Sequence, residues 1–522
     1  MQIRLIRPNC PLFLIMSLLA GALASGGFAP VGLPICTAAG LAVLFWCVVS
    51  AASSKVAFAS GFLWGLSYFS LGLSWTYQSM HVFGGLPGWM AAGGVVLLAA
   101  LLSTVTALVG WGIRVIPASP VFRLALVAPA VWTIGELVRG VYVFGFGWLS
   151  VGYAFSSDLL AGWAPIAGVY GVSFAVTLII GTVLAAMTQK TGPVTKLWLS
   201  LLIGVVALGS FVLERLPWSQ DSGSLQVRVV QPDLPVVMQG NDHVQSNRLA
   251  RMQSMSERTP LGPPLDLIVW PESIYLAPLQ RLSWDFVHAP IMTAKKTSAT
   301  VLFNAFDEPV PGRFYNALWF ANPDTGSMSR PFAKHHLVPF GEFVPWGFRW
   351  FVDAMGIPMA DQQRGEIPTM PVVVAGEQVA LGVCYENMFG EELRKWFVAG
   401  NSGNTPSVII NVANLGWFSD SALEQFTQMS IMRAKEMARP FVQAVNNAGS
   451  VYIDANGSIV RQATAGAQNL DLTVRLSEGR STPFVQFGLL PVWAGTLFAL
   501  LLAYVSARRR PLCGPEKSDP KG

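Results

Sequence analysis

Long apolar stretches, more than any other feature of the sequence, limit what this chain can fold into. A helix of about 20 apolar residues crosses a bilayer, because each residue adds about 1.5 Å of length. Such stretches occur at residues 11–29, 35–52, 56–76, 88–112, 121–138, 162–187 and 197–213, and again at 487–506. Only 12% of the 522 residues are charged, about half of the share usual in soluble domains. The sequence therefore predicts a membrane protein with several helical spans.

The apolar stretches divide the chain into three predicted domains. Residues 1–215 form an N-terminal membrane domain of about seven transmembrane helices, residues 216–486 form a polar domain, and residues 487–522 form a last transmembrane helix with a basic tail. The first stretch also fits a signal peptide, since Ala22–Ser25 resembles a cleavage site. A retained first helix is favoured, because further spans follow at once.

The basic residues between the spans predict the orientation of the chain. Alternate short loops and the C-terminal tail carry most of them, namely Lys55, Arg114, Arg123, Lys190, Lys196 and Arg508–Arg510. Lysine and arginine concentrate in cytoplasmic loops of membrane proteins. Arg139 is the main exception, because it lies on the opposite side. The pattern predicts that both termini are cytoplasmic and that residues 216–486 lie across the membrane from them.

The polar region alternates strand-like and helix-like stretches. Strands are predicted at 225–231, 265–270, 300–304, 316–321, 372–374, 379–384, 408–412, 441–445 and 451–454, with a hairpin turn at Asn456–Gly457. Helices are predicted at 282–295, 391–398 and 422–438. This alternation is typical of a layered α/β domain.

Three segments of the polar region carry side chains suited to acyl transfer. One predicted strand ends at Cys384, another leads to Glu272, and a loop carries Lys334. A cysteine is nucleophilic as the thiolate, which a neighbouring carboxylate can generate by taking the proton. A cation next to the thiol favours the thiolate and stabilises an oxyanion. We therefore expect these three residues to form one site, although a lone cysteine at a strand end is also compatible with simple packing.

The segment at residues 340–360 is unusually apolar for a loop. Its apolar side chains are Phe343, Val344, Trp346, Phe348, Trp350, Phe351, Met355 and Met359. An apolar loop either packs into the core or contacts a partner or lipid. Next to a membrane, a lipid-facing arm or lid and core packing are equally compatible with this composition.

No pattern in the sequence indicates a metal, a cofactor or a nucleic acid. The chain has five histidines, and His335–His336 is an adjacent pair without a His-Glu-x-x-His motif. Neither a phosphate-binding P-loop nor a basic nucleic-acid patch occurs in the sequence. We expect no metal, no cofactor and no nucleic-acid partner.

The segments Trp270–Glu272, Lys334–Glu342 and Gly382–Glu386 resemble, in order and spacing, the motifs of the nitrilase superfamily. Within it, the chain is similar to the apolipoprotein N-acyltransferases of bacterial inner membranes. The sequence Lys-His-His-Leu-Val-Pro-Phe-Gly-Glu at 334–342 is specific for that branch, as is a nitrilase-like domain between several spans and one last span. The segment Gln231–Val236 departs from the family pattern, which leaves the substrate contacts open.

The resemblance implies a fold and a set of site residues. The polar region is expected to be a nitrilase-like αββα sandwich mounted on the multi-span helical domain. Glu272 is implied as the general base, Lys334 as the oxyanion-stabilising cation and Cys384 as the nucleophile. The supporting residues are Asn316, Glu342, Tyr385 and Glu386. The residues expected at the substrate entrance are Phe343, Trp346, Trp350, Phe351 and Trp417.

The resemblance also implies a reaction. An acyl chain, in the family typically the sn-1 chain of phosphatidylethanolamine, passes to Cys384 as a thioester and then to the amine of S-diacylglyceryl-cysteine on an apolipoprotein. The implied partners are therefore the phospholipid donor, the apolipoprotein acceptor and the lipid bilayer, with the catalytic domain in the periplasm. Three alternatives remain: a membrane-tethered amidase or nitrilase-like hydrolase with the same site, a paralogue that acylates another amine, and an inactive scaffold or transporter.

Overall fold

A computed structural model of the chain describes residues 10–237, 240–260, 262–347, 349–354, 361–367, 370–398, 405–479 and 481–508. Within these ranges the longer helices are α1 (Cys10–Ser25), α2 (Pro34–Ser50), α3 (Ser54–Gly72), α4 (Gly88–Val115), α5 (Ala128–Leu137), α6 (Ala164–Thr188), α7 (Pro193–Arg215), α8 (Asp242–Ser256), α9 (Trp284–Thr297), α10 (Asp420–Met437) and α11 (Leu490–Arg508). The strands are β1 (Gln220–Gln231), β2 (Leu267–Val269), β3 (Thr300–Val310), β4 (Arg313–Ala321), β5 (Met328–Ala333), β6 (Val372–Val374), β7 (Glu377–Val383), β8 (Val408–Ala413), β9 (Phe441–Val445), β10 (Val451–Ile453), β11 (Ile459–Gln462) and β12 (Gln468–Glu478).

Helices before and after the α/β region are long and apolar enough to cross a membrane. In the described residues, five helices are long and apolar enough: Gly88–Val115, Pro120–Tyr142, Leu159–Thr188, Pro193–Arg215 and Leu490–Arg508. A sixth candidate joins α3 to the segment Thr76–Phe83 and bends by 65° between them. The apolar helices Pro11–Ser25 and Pro34–Ser50 are shorter, so their predicted role as spans stays a prediction. The chain is thus a membrane protein, and its predicted span at 56–76 is the first part of a bent segment.

Two six-stranded sheets form the α/β region in the described part of the chain. Their strand orders are β12-β1-β2-β3-β4-β5 and β11-β10-β9-β8-β7-β6. Strands β1, β2 and β3 run parallel, as do β7, β8 and β9. The carboxyl ends of neighbouring parallel strands therefore lie together at one edge of each sheet, which is where layered α/β folds place their sites.

The two sheets pack face to face and carry helices on their outer faces. Leu302 of β3 and Leu381 of β7 belong to one buried cluster between the sheets. The opposite face of the first sheet, with Phe303, packs against Met252 of α8 and Ala294 of α9. Helix α10 packs on the second sheet next to β9. The predicted fold class, a multi-span helical region plus an αββα sandwich, is confirmed.

Several elements differ from the sequence prediction. Helix α8 and the strands β5, β11 and β12 were not predicted. Helix α8 buries only a narrow stripe of apolar side chains, and β12 pairs with β1, which is about half the chain away, so neither has a strong local signal. The predicted helix at 391–398 is broken at Arg394 into Gly390–Leu393 and Lys395–Val398. The guanidinium of Arg394 donates to Glu391 and to the carbonyl of Val485.

Gln425 on α10 ties the α/β region to the helical region. Its Oε1 accepts from the indole N–H groups of Trp75 and Trp148 at 3.2 and 2.6 Å. Its Nε2 donates to the carbonyls of Ala29 and Gly72 at 3.0 and 3.2 Å. Gln425 is buried, and these four hydrogen bonds use both acceptor positions of its amide oxygen and both of its N–H donors. One side chain thus holds three segments of the helical region on α10.

We predict that Gln425→Leu lowers the melting temperature of the detergent-solubilised protein by several degrees. The substitution leaves two buried indole N–H groups without an acceptor, at about 1–3 kcal/mol each. Gln428→Leu is the matched control one turn along α10, because the buried Oε1 of Gln428 has no hydrogen-bond partner among the described residues. Thermal unfolding of both variants is the measurement, and equal shifts would contradict the role given to Gln425.

Candidate active site

The proposed site residues leave the sandwich at the carboxyl ends of its strands. Glu272 follows β2, and Cys384 directly follows β7. Asn414 directly follows β8, which pairs in parallel with β7. Lys334 directly follows β5. The two sheets therefore bring the side chains of separate segments to one place, as the strand-end positions in the sequence predict.

Cys384 has a strained backbone. Its φ angle is +51°, in the left-handed region that non-glycine residues avoid, and it opens the short 3₁₀ turn Cys384–Met388. The carboxylate of Glu386 accepts the backbone N–H of Val383 at 2.9 Å and so holds this turn against the strand. Strain of this kind is kept where the surroundings over-determine the conformation, commonly at functional sites. The turn fixes the direction of the thiol.

Glu272 is buried and held at both carboxylate oxygens. Its Oε1 accepts from the side-chain amide of Asn316 at 2.9 Å, and its Oε2 accepts from the backbone N–H of Asn414 at 3.0 Å. Besides burial, the charge of this carboxylate raises the pKa of the Cys384 thiol, so the two groups lie close together. A carboxylate fixed next to a thiol is placed to take its proton.

Lys334 lies between two carboxylates and is only 1% exposed. Its Nζ donates to Oε1 of Glu342 at 2.8 Å and lies 3.9 Å from Oε1 of Glu272. The amide of Asn316 donates to the same two carboxylates, at 2.9 Å to Glu272 and 3.2 Å to Glu342. The backbone N–H of Val338 donates to the second oxygen of Glu342 at 2.8 Å. Asn316 and Lys334 thus connect Glu272 and Glu342 into one cluster.

The charges of this cluster shift the pKa values of its members. Burial raises the pKa of Glu272, while Lys334 and the hydrogen bonds from Asn316 and Asn414 oppose the rise. Burial alone lowers the pKa of Lys334, but Glu342 and Glu272 raise it above its ordinary value, so the amine stays protonated. Burial and the charge of Glu272 raise the pKa of Cys384, which Lys334 opposes. The resting thiol is therefore protonated at neutral pH, and attack requires a base.

The cluster can support nucleophilic acyl transfer. Glu272 lies where it can accept the thiol proton, and Lys334 supplies a fixed positive charge where negative charge develops on an attacked carbonyl. Cys384 is 8% exposed, so the reacting atoms are shielded from bulk water. The interaction energy between two charges is larger in such a water-poor site than in bulk solvent, because the local dielectric constant is lower.

Glu386 joins the cysteine turn to the lysine loop. Its Oε1 accepts the backbone N–H groups of His335 and His336 at 2.8 and 3.2 Å, and its Oε2 holds Val383. Burial raises the pKa of Glu386 to about 7, although Lys334 and these N–H groups oppose the rise. The sequence placed Glu386 among the supporting residues without this role.

Tyr385 and His336 face the helical region. The hydroxyl of Tyr385 donates to the carbonyl of Gly145 at 3.3 Å. The imidazole of His336 stacks on Phe389 with ring centroids 3.5 Å apart, and its Nδ1 lies 3.0 Å from Glu392. The Tyr385 bond places the cysteine turn directly against the helical region, and the His336 contacts hold the lysine loop to the residues that follow that turn.

The apolar segment after Glu342 begins and ends at the site. Gln362 N–H donates to the Glu342 carbonyl at 2.9 Å, and Gly365 N–H donates to the Lys334 carbonyl at 2.8 Å. Phe343 at its base is half-buried, whereas Trp346 is 98% and Trp350 69% exposed. Phe351 belongs to the short helix Arg349–Ala354, and its side chain lies outside the described residues, as do 348 and 355–360 entirely.

Trp417 lies in the loop that connects β8 to α10. Its carbonyl accepts from the hydroxyl of Ser79 at 2.8 Å, and its ring meets Phe83 edge-on at 5.0 Å. Gln78 donates to the neighbouring Phe418 carbonyl at 3.3 Å. The bent segment Thr76–Phe83 of the helical region therefore supports the loop that begins at Asn414.

Two hydrogen bonds of the site were not predicted by the sequence analysis. The backbone N–H of Asn414 bonds Glu272, and the side chain of Asn304 bonds Asn316 at 2.5 Å. A backbone donor leaves no mark in a sequence. Asn304 gives a weak signal, because it is a polar residue within an apolar strand pattern.

Comparisons with known proteins match both halves of the chain. The family model described as apolipoprotein N-acyltransferase N-terminal domain matches residues 20–182, and the model described as carbon-nitrogen hydrolase matches residues 227–484. An apolipoprotein N-acyltransferase of Ralstonia nicotianae is 35% identical over 463 residues, covering 86% of this chain and 85% of that protein. Proteins of the same name from Bordetella bronchiseptica and Nitrosomonas europaea are 34% and 31% identical, covering 94% and 96% of this chain and 96% and 99% of theirs.

The buried Glu386 carboxyl predicts a pH-dependent effect of Glu386→Gln. Because the folded state raises the pKa of Glu386 from 4.5 to about 7, the native protein holds this proton more tightly than the unfolded chain. The linked stabilisation is present below about pH 4.5 and is lost as pH rises through about 7. The variant lacks this titrating group. We therefore expect the melting temperature of the unsubstituted protein to exceed that of the variant by less as the pH rises from 5 to about 7.5. An advantage that widened with pH would contradict the assignment.

Proposed function

The chain belongs to the apolipoprotein N-acyltransferase family, and on that premise we propose that it N-acylates lipoproteins through a thioester on Cys384. The observation that carries the proposal is the meeting of Glu272, Lys334 and Cys384 in one buried cluster. The charges of Glu272 and Lys334 both act on the pKa of the Cys384 thiol, and Nζ of Lys334 lies 3.9 Å from Oε1 of Glu272. Each of the three groups has a separate task in acyl transfer.

In the first half-reaction, Glu272 takes the thiol proton as the sulfur of Cys384 attacks an ester carbonyl of a phospholipid. The carbonyl oxygen becomes an oxyanion, and the ammonium of Lys334 stabilises its charge. The C–O bond then breaks, and the protonated Glu272 returns the proton to the departing alkoxide. A lysophospholipid leaves, and the acyl chain remains on Cys384 as a thioester. We propose the sn-1 chain of phosphatidylethanolamine as the donor, following the family.

In the second half-reaction, the α-amine of an S-diacylglyceryl-cysteine at an apolipoprotein N-terminus attacks the thioester. Glu272 takes a proton from the amine, the C–S bond breaks, and the sulfur of Cys384 recovers a proton from Glu272. The product is an amide, and the enzyme returns to its starting state. Burial of Cys384 supports transfer to an amine over hydrolysis, because it keeps water from the thioester.

Both proposed substrates are lipids, so the site should lie at a bilayer surface. Extracting an acyl chain into a soluble pocket costs about 0.8 kcal/mol per CH₂ group. We propose that residues 216–486 lie on the periplasmic side of the bacterial inner membrane, that residues 1–215 and 487–522 anchor them, and that both termini are cytoplasmic. The exposed Trp346 and Trp350 support a lipid-facing role for the segment that starts at the site.

The first test is an acyl-enzyme measurement on the purified protein. With phosphatidylethanolamine and no acceptor, we expect intact-protein mass spectrometry to find a hydroxylamine-sensitive gain of one acyl chain. Cys384→Ala should lose it, while Cys47→Ala should keep it, because Cys47 is a buried cysteine of the helical region. Lys334→Ala should slow its formation by about 10²–10³-fold, the usual cost of one oxyanion contact. A diacylglyceryl peptide should then discharge the adduct.

Other outcomes of that experiment decide against the proposal. An adduct on Cys384→Ala would show that another residue is the nucleophile. Release of free fatty acid, or ammonia from small amides, without transfer to the peptide would favour a membrane-tethered hydrolase. An adduct that another amine discharges better than the peptide would favour a paralogue with a different acceptor.

The exposed tryptophan at 346 gives a second prediction. We expect Trp346→Ala to raise the apparent KM for phospholipid in vesicles about tenfold, because a loss of about 1.4 kcal/mol of lipid contact changes an equilibrium constant by that factor. The rate at saturating lipid should change little. Trp284→Ala is the matched control, since Trp284 is 67% exposed on the outer helix α9. Equal effects of the two substitutions would argue against a lipid-facing segment.

A further inference from the structure

Two asparagines lie on the inner face of the first sheet, where its pattern calls for apolar residues. On β3, Asn304 points to the same side as Leu302, and on β4, Asn316 points to the same side as Leu318. Both leucines belong to the cluster between the two sheets. Asn304 and Asn316 are 4% and 3% exposed. A buried amide is costly unless its donors and acceptor are used, so their partners indicate why they are there.

Asn304 has a partner for each end of its amide. Its Oδ1 accepts the backbone N–H of Ser273 at 3.2 Å. Its Nδ2 donates to Oδ1 of Asn316 at 2.5 Å and to the Ala317 carbonyl at 3.0 Å. Ser273 is the residue directly after Glu272, and its φ angle of +65° is in the left-handed region. Asn304 thus contacts both the turn that carries Glu272 and the amide that donates to Glu272.

These contacts fix the orientation of both amides, starting from the backbone. A peptide N–H can only donate, so Ser273 requires the oxygen of Asn304 to face it. The nitrogen of Asn304 then faces Asn316, which requires the oxygen of Asn316 in return. The nitrogen of Asn316 is left to face the carboxylates of Glu272 and Glu342. A reversed Asn316 amide would instead direct its oxygen at two carboxylates.

We propose that Asn304 is a positioning residue that sets the orientation of Asn316 and thereby keeps Glu272 ionised and ready to act as a base. The hydrogen bond from Asn316 is one of the contacts that oppose the burial-driven rise in the Glu272 pKa. In the part of the chain that the structure describes, the hydrogen bonds of the Asn304 side chain go to Ser273, Asn316 and Ala317 and not to the Cys384 thiol. The inference rests on the proposed function, because it acts on the base of the proposed acyl transfer.

The test combines two isosteric variants with the pH dependence of acyl-enzyme formation. Asn304→Leu removes the donor at every pH, so the acid limb of the rate profile should move up by about one pH unit, since Glu272 loses stabilisation of its ionised form. Asn304→Asp can donate only while its introduced carboxyl is protonated. Its activity should therefore approach the unsubstituted level at the acid end of the profile and fall about tenfold or more as pH rises.

A double-mutant cycle separates positioning from general stability. If Asn304 acts through Asn316, adding Asn304→Leu to Asn316→Leu should cause no further shift of the acid limb. Asn469→Leu is the matched control on the same sheet, because the amide of Asn469 donates to the carbonyl of Met255 on α8 and not to a residue of the Glu272 cluster. That control should lower thermal stability at most and leave the pH profile unchanged.

The outcomes distinguish this inference from the proposed function. If the unsubstituted protein forms the Cys384 thioester but both Asn304 variants keep its pH profile, the positioning role is wrong and the acyl transfer stands. An additive shift in the double variant also overturns the role. If the unsubstituted protein forms no thioester, the proposed function itself fails.

Discussion

The burial of one ammonium group between two carboxylates is the constraint on which the rest of the site depends. Lys334 is 1% exposed and lies 2.8 Å from Glu342 and 3.9 Å from Glu272, so full ionisation leaves one excess negative charge away from water. An uncompensated buried charge is strongly unfavourable. The fold meets this cost with fixed donors: the Asn316 amide, the Asn414 N–H and the Val338 N–H each bond a carboxylate oxygen. The conformations of the segments that carry these donors are therefore constrained, because each donor must stay within hydrogen-bond distance of its carboxylate.

Those donors come from different parts of the chain, which explains why the sandwich and the helical region are so closely connected. Glu386 holds the lysine loop to the cysteine turn by accepting three backbone N–H groups. Asn414 begins the loop that Ser79 and Gln78 of the bent segment support, and α10 beyond it is fixed to the helices by Gln425. Displacing the helical region would therefore move a donor to Glu272. The helical region is therefore a structural support of the residues proposed to react.

The sequence predicts the main regions of the fold and the position of the candidate site, but it does not predict several elements and hydrogen bonds that depend on distant segments. Apolar length predicts the helices long enough to cross a membrane, and the alternation of strands and helices predicts a layered α/β region, because both depend on local composition. The αββα sandwich itself was implied by the family resemblance. Strand ends at Glu272 and Cys384 indicate where the site lies, since parallel strands end together. The bend after α3, the helix α8 and the strand β12 escape prediction, because they depend on packing with distant segments. The donors to Glu272 escape it for another reason: a backbone N–H carries no residue identity.

The orientation of a buried side-chain amide is likewise not determined by the residue type alone. Asn304 and Asn316 could each present oxygen or nitrogen to the cluster, and the letter in the sequence is identical in both cases. The choice is made by two peptide groups, the N–H of Ser273 and the carbonyl of Ala317, and the direction of that N–H follows from the left-handed turn after Glu272. Reversal of either amide would replace a donor to two carboxylates by an acceptor and raise the Glu272 pKa further. The strained turn after Glu272, at a cost of about 1–3 kcal/mol, therefore sets the direction of the Ser273 N–H and through it the donor to the proposed base.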